Sequence, residues 1–109
     1  MKLLTFLFLL LASSSHAQLL SGTLVEEGRK AITNIQFVQE GTANGYIIYE
    51  LAVDREGNVT GLNLIESTIN STPTKVKVRN YLKTVKFEKG THYPAFHHVR
   101  VKITMVVPV

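Results

Sequence analysis

Residues 46–53 read YIIYELAV, a strict alternation that puts Ile47, Tyr49, Leu51 and Val53 on one face of an extended segment. The next five residues, Asp54-Arg55-Glu56-Gly57-Asn58, supply a turn, with Gly57 free to take a positive φ and Asn58 tolerant of one. A second β-rich run over residues 59–66 follows at once, and a turn this short joins antiparallel neighbours. Its apolar residues are Val59, Leu62, Leu64 and Ile65, and the step from 59 to 62 breaks the alternation. One extra residue near Thr60-Gly61 restores the phase, so a β-bulge is expected there.

The hairpin is followed by a polar link over residues 67–73 (STINSTP). Thr72 is the expected N-cap and Pro73 the first helical residue, because proline lacks an N–H that the first turn leaves unpaired anyway. The spacing predicts a helix over 73–86, with Val78, Tyr81, Leu82 and Val85 within one arc. Val76 and Val78 are β-branched, so this helix must draw its stability from docking on a sheet. Phe87 is expected to leave the helix and close over the core, and Gly90 to end the element. A last strand over 96–107 alternates Val99, Val101, Ile103, Met105 and Val107 with His98, Arg100, Lys102, Thr104 and Val106, and Pro108 stops it. These elements define an α+β class: an open antiparallel sheet of three or four strands covered on one face by a single helix, with a β-β-α-β core.

The ends of the chain are less periodic. Lys2, the apolar run over residues 3–12 (LLTFLFLLLA), and the small residues Ser15 and Ala17 flanking His16 match a cleavable export signal over residues 1–17. About 10 apolar residues span roughly 15 Å as a helix, half a hydrocarbon core, so no transmembrane span is expected. Residues 18–44 form an N-terminal extension, in which 31–38 (AITNIQFV) is expected as an extra strand with Ile35 and Phe37 inward; a short helix using Ala31, Ile35 and Val38 is the alternative. The domain proper is 45–109.

Composition narrows the chemistry. The 109 residues include no cysteine, which excludes disulfides, thiolate metal sites and a cysteine nucleophile. No glycine-rich phosphate loop, GxSxG or HExxH motif is present, so the chain reads as a non-enzyme without a cofactor. His92, His97 and His98 are either metal ligands or solvated loop and edge residues; with no third ligand near in sequence, no metal site is assigned. Asp54 and Glu56 belong to turn chemistry rather than to an acid-base pair. Charge is polarised. Residues 18–60 hold three basic side chains against six acidic, whereas residues 61–109 hold eight basic against Glu66 and Glu88. Such asymmetry favours an acidic partner on one side of the molecule.

Two groups of cations are candidates for partner binding. Lys75, Arg79 and Lys83 follow i, i+4, i+8 spacing with Lys86 on the same stripe, a rail for an acidic peptide or anionic lipid, or simply the wet face of an amphipathic helix. His98, Arg100 and Lys102 lie on the outward face of the last strand, where they either protect a sheet edge or hold a peptide added to it. Nucleic acid is not expected, since the aromatic residues do not interleave with the lysines.

The segment Gly45-Tyr-Ile-Ile-Tyr-Glu-Leu-Ala-Val53-Asp54-Arg-Glu-Gly57-Asn58-Val59, then Leu62-Asn-Leu64-Ile-Glu-Ser67, resembles the central motif of the TonB C-terminal domain family. The helix leading into Lys86-Phe87 and the alternating last strand extend the likeness over residues 45–107. The resemblance implies a periplasmic domain that binds a short protein or peptide segment, such as that of an outer-membrane transporter, partly by adding a strand at a sheet edge. The chain departs from the family in its cleavable-looking signal and in having only Pro73, Pro94 and Pro108, with no proline-rich spacer. An energy-transducing role therefore does not carry over, and the expectation is a free-standing exported module whose sheet edges offer a route to a homodimer.

Overall fold

The computed structural model describes residues 19–108; the export signal expected over residues 1–17 lies outside the described residues. The elements are β1 (Leu19–Ser21), α1 (Thr23–Glu26), β2 (Val38–Glu40), β3 (Gly45–Val53), β4 (Val59–Ser67), α2 (Thr72–Lys83) and β5 (His97–Val106). They form an α+β fold: an open sheet of order β1-β5-β3-β4, with the long helix α2 on one face. Among the described residues no helix is long and apolar enough to cross a membrane.

The alternation at residues 46–53 makes β3 the centre of the sheet. Ile47, Tyr49, Leu51 and Val53 are buried, and β3 pairs with β4 on one side and with the whole of β5 on the other. Val99, Val101, Ile103 and Met105 of β5 project to the same face, where Val78 and Leu82 of α2 seal the core together with Val85 and Phe87. Helix α2 is capped one residue earlier than expected. The Ser71 side chain accepts from the Thr74 N–H at 3.4 Å, and Pro73 still lies in the first turn. The helix also stops at Lys83 rather than 86, because the chain beyond Thr84 is drawn into a small three-segment layer. There Ala31 bridges Phe87 and Asn58 bridges Lys86, both antiparallel, and the Phe87 N–H donates to the Gly57 carbonyl at 2.9 Å.

The bulge expected near Thr60-Gly61 is present: Ala52 faces Gly61 and Val53 faces Val59, leaving Thr60 as the extra residue. A second bulge was not expected. Ile48 faces Glu66 while Tyr49 faces Leu64, so Ile65 is unpaired and is left exposed on the strand. Ile69, inside the link read as polar, is buried.

Residues 19–44 do more than add one strand. Leu24 of the one-turn helix α1 is fully buried in the core, Ile35 is buried, and Phe37 packs partly against it. Inward placement of Ile35 and Phe37 agrees with the extended reading, but the regular strand is confined to Val38–Glu40, and it runs parallel to β5. The sheet is therefore mixed rather than wholly antiparallel. A parallel pairing is possible here because the connection from β2 to β5 passes through the entire hairpin and helix.

Tyr49 links sheet and helix by donating its hydroxyl to the Lys75 carbonyl at 2.9 Å. Burial raises its pKa above the usual phenol value, a shift that the nearby Arg79 charge partly offsets. A raised folded pKa means the contribution is complete below pH 10 and is lost as pH rises through the folded value. Tyr49→Phe is expected to remove this part of the alkaline loss of stability, seen as a shallower decline in melting temperature above pH 10. An unchanged alkaline limb would refute the assignment.

Candidate functional site

The structure sorts the two cation groups differently from the sequence. Strand β5 is not a sheet edge. On one side it pairs with β3 along residues 97–105, and its other side is occupied by the chain's own N-terminal stretch. Leu19 faces Val101 and Ser21 faces Arg100; Val38, Gln39 and Glu40 face Thr104, Met105 and Val106. The Phe37 carbonyl takes the Thr104 N–H at 2.7 Å, and Gly22, at φ 119°, sits so close to His98 that a Cβ would strike the His98 carbonyl. Strand addition at the β5 rim, the expected mode, is thus blocked by covalently attached competitors of high effective concentration.

His98, Arg100 and Lys102 consequently lie on the uncovered face of an inner strand. Arg100 stands opposite Glu50, with Nε 3.4 Å from its carboxylate. The Lys102 ammonium lies 4.7 Å from the Tyr46 ring centroid, and Tyr46 donates its hydroxyl to Glu66. His98 is exposed opposite Ala52. These are cross-strand pairs on a wet sheet face, contributing about 0.2–1 kcal/mol each. The expectation that they flank a free edge is corrected.

The helix cations do flank one. Strand β4 has a single neighbour, β3, and among the described residues nothing pairs with its outer side. The Thr68 N–H donates to the Tyr46 carbonyl and the Asp54 N–H to the Asn58 carbonyl. Antiparallel pairs alternate between bonded and non-bonded, so Leu62 and Leu64, opposite Leu51 and Tyr49, direct their backbone N–H and C=O groups outward. The two bulges restrict the regular ladder to residues 61–64.

Helix α2 runs beside this strand in the opposite direction. Its start lies near Leu64, because Tyr49 bonds the Lys75 carbonyl and pairs with Leu64; the segment after its end meets Asn58. Arg79 and Lys83 line an open hollow of about 250 Å³ with Val59, Thr60, Gly61 and Leu62. The two ion pairs among the described residues are His97–Glu27 and Arg100–Glu50, so neither Arg79 nor Lys83 has a carboxylate partner there. Leu64 and Val76 add apolar surface, at 47% and 48% exposure. Lys75 shares the helix face. Lys86 does not: it lies beyond the helix and its Nζ donates to Asn58 Oδ1 at 2.7 Å.

A second polar cluster had no counterpart in the sequence reading. Arg29 is 3% exposed and His97 fully buried. Arg29 donates through Nε to the Glu88 carbonyl at 2.7 Å and through Nη2 to the Asp54 carbonyl at 2.8 Å. Its Nη1 lies 3.3 Å from His97 Nδ1, and the guanidinium stacks on Tyr93 at 4.0 Å. Burial lowers the Arg29 pKa, while Tyr93, Asp54 and Glu88 pull it back up. Since Arg29 can only donate, His97 Nδ1 accepts, and the tautomer that follows gives its Nε2–H to Glu27 Oε2 at 2.9 Å. This cluster ties four segments together, and each of the three guanidinium nitrogens has a partner. Extending the β5 alternation back two residues from Val99 places His97 inward, which was the available signal; nothing local marks Arg29 as buried.

Among the described residues no group of three or more His, Asp or Glu side chains is arranged to hold a metal ion. His92 stacks against Tyr93 with ring centroids 4.1 Å apart. No protein-family model, curated protein or solved structure matches the chain.

Proposed function

We propose that this chain is an exported, non-enzymatic binding module that takes up an extended polypeptide by strand addition, at the outer edge of β4 rather than at β5. One observation carries the reading: among the described residues β4 has no outer neighbour, with Leu62 and Leu64 directing unpaired backbone groups outward beside Arg79 and Lys83. The resemblance of residues 45–107 to the TonB C-terminal domain family supports a role in peptide recognition in the periplasm. The occupied β5 rim argues that the recognised strand docks on the opposite side of the sheet.

Proline at position 64 deletes one outward N–H without removing a ladder hydrogen bond, whereas alanine keeps that N–H. Leu64→Pro is therefore expected to abolish retention of polypeptide from an envelope extract, and Leu64→Ala to preserve it within about threefold. In the retained complex the Leu62 and Leu64 amides should become protected from hydrogen exchange. Equal retention by the proline and alanine variants, or protection on β5 instead, would rule out the β4 edge.

A further inference from the structure

Resting on the strand-addition reading, the geometry points to a more particular ligand: an extended segment carrying carboxylates at alternate positions, read by Arg79 and Lys83. The argument is one of matching repeats. Four residues along a helix advance about 6 Å, and two residues along a strand about 6.6–6.8 Å. A strand added to β4 lies beside the hollow lined by both cations, and every second side chain of that strand faces the helix side. Carboxylates at positions i and i+2 of the ligand then fall level with Arg79 and Lys83, and one at i−2 with Lys75, the mismatch of under 1 Å per step lying within the reach of long side chains. Contiguous carboxylates cannot do this, because half of them point to the opposite sheet face.

The remaining surface agrees. Arg79 and Lys83 have no acidic partner among the described residues, and the regular ladder of residues 61–64 is flanked by bulges at Thr60 and Ile65, so the ligand's paired core is short, about four residues. The apolar Leu64 and Val76 near the helix start suit an apolar residue on the ligand beside its carboxylates.

The test uses three synthetic peptides of one length: Val/Thr-rich with Glu at alternate positions, the same composition with the Glu residues contiguous, and a Gln-for-Glu counterpart. Titrated into the full chain and followed by amide NMR, the alternating peptide should bind at least tenfold more tightly than the other two. Its affinity should fall steeply between 50 and 500 mM salt, and Arg79→Glu/Lys83→Glu should remove the preference. If all three bind alike and shift Leu62 and Leu64, strand addition stands and the carboxylate rule is overturned. If the alternating peptide binds Leu64→Pro as well as wild type, the edge reading itself fails. If it does not bind, while phosphatidylglycerol vesicles bind wild type but not Arg79→Glu/Lys83→Glu, the stripe serves a lipid surface and the proposal is overturned.

Discussion

Gly57→Ala is expected to lower the melting temperature by about 15–30 °C. Gly57 sits at φ +86°, where an alanine costs about 1–2 kcal/mol for its backbone alone. A Cβ there also runs into the carbonyl oxygen of Phe87, a backbone atom that cannot rotate away. Relief requires the Phe87 segment to retreat, which breaks the hydrogen bond from the Phe87 N–H to the Gly57 carbonyl and lifts the buried Phe87 ring from the core. The sum is about 3–5 kcal/mol, and for a domain of this size each kcal/mol shifts the midpoint by about 4–8 °C. Gly28 provides the comparison, since it has φ +74° with nothing within 4 Å of the added Cβ. Gly28→Ala should cost only the backbone term. If thermal unfolding by circular dichroism gives the same midpoint for both variants, steric contact with Phe87 is not what holds position 57 to glycine.

Arg29→Ala acts on the same corner from the other side. It leaves the Glu88 carbonyl without its only side-chain donor, removes one of two donors to the Asp54 carbonyl, and strips His97 Nδ1 of its partner in a buried site. Unmet buried acceptors cost about 1–3 kcal/mol each, and the lost stacking on Tyr93 adds to this, so a destabilisation of about 3–5 kcal/mol is expected in urea unfolding. Arg29→Lys should recover less than half, because one ammonium cannot serve acceptors on three separate segments. The loss should be nearly independent of salt, unlike that of an exposed ion pair. A variant within 1 kcal/mol of wild type would show that the corner closes without the guanidinium. Loosening this corner should also free the N-terminal stretch from the β5 rim, since Arg29 follows α1 directly.

Legibility in the sequence followed the range of the interactions involved. The hairpin, its glycine turn, the Thr60 bulge, the amphipathic helix and the last strand all express themselves as periodicity within a dozen residues, and all are found in place. The bulge at Ile65 escaped because Leu64 and Ile65 are both exposed, so no apolar phase records the slip. The cations of α2 were legible as a stripe by spacing, but not their position beside β4, which depends on the direction in which the helix crosses the sheet.

The chain by itself determined that a hairpin, a helix and a final strand would share one apolar core, because β3, the helix and the last strand each present an apolar face that water disfavours. Which side of that sheet remained open was decided only in three dimensions. Residues 19–40 carry almost no periodic signal, and a few long-range anchors (Leu24, Arg29 and Ile35) bring them across the β5 rim. Arg29 bonds residues 25 and 68 positions away, contacts that no local pattern encodes, and with the β5 rim covered by the short β1 and β2 the nine-residue β4 is left as the long edge strand among the described residues.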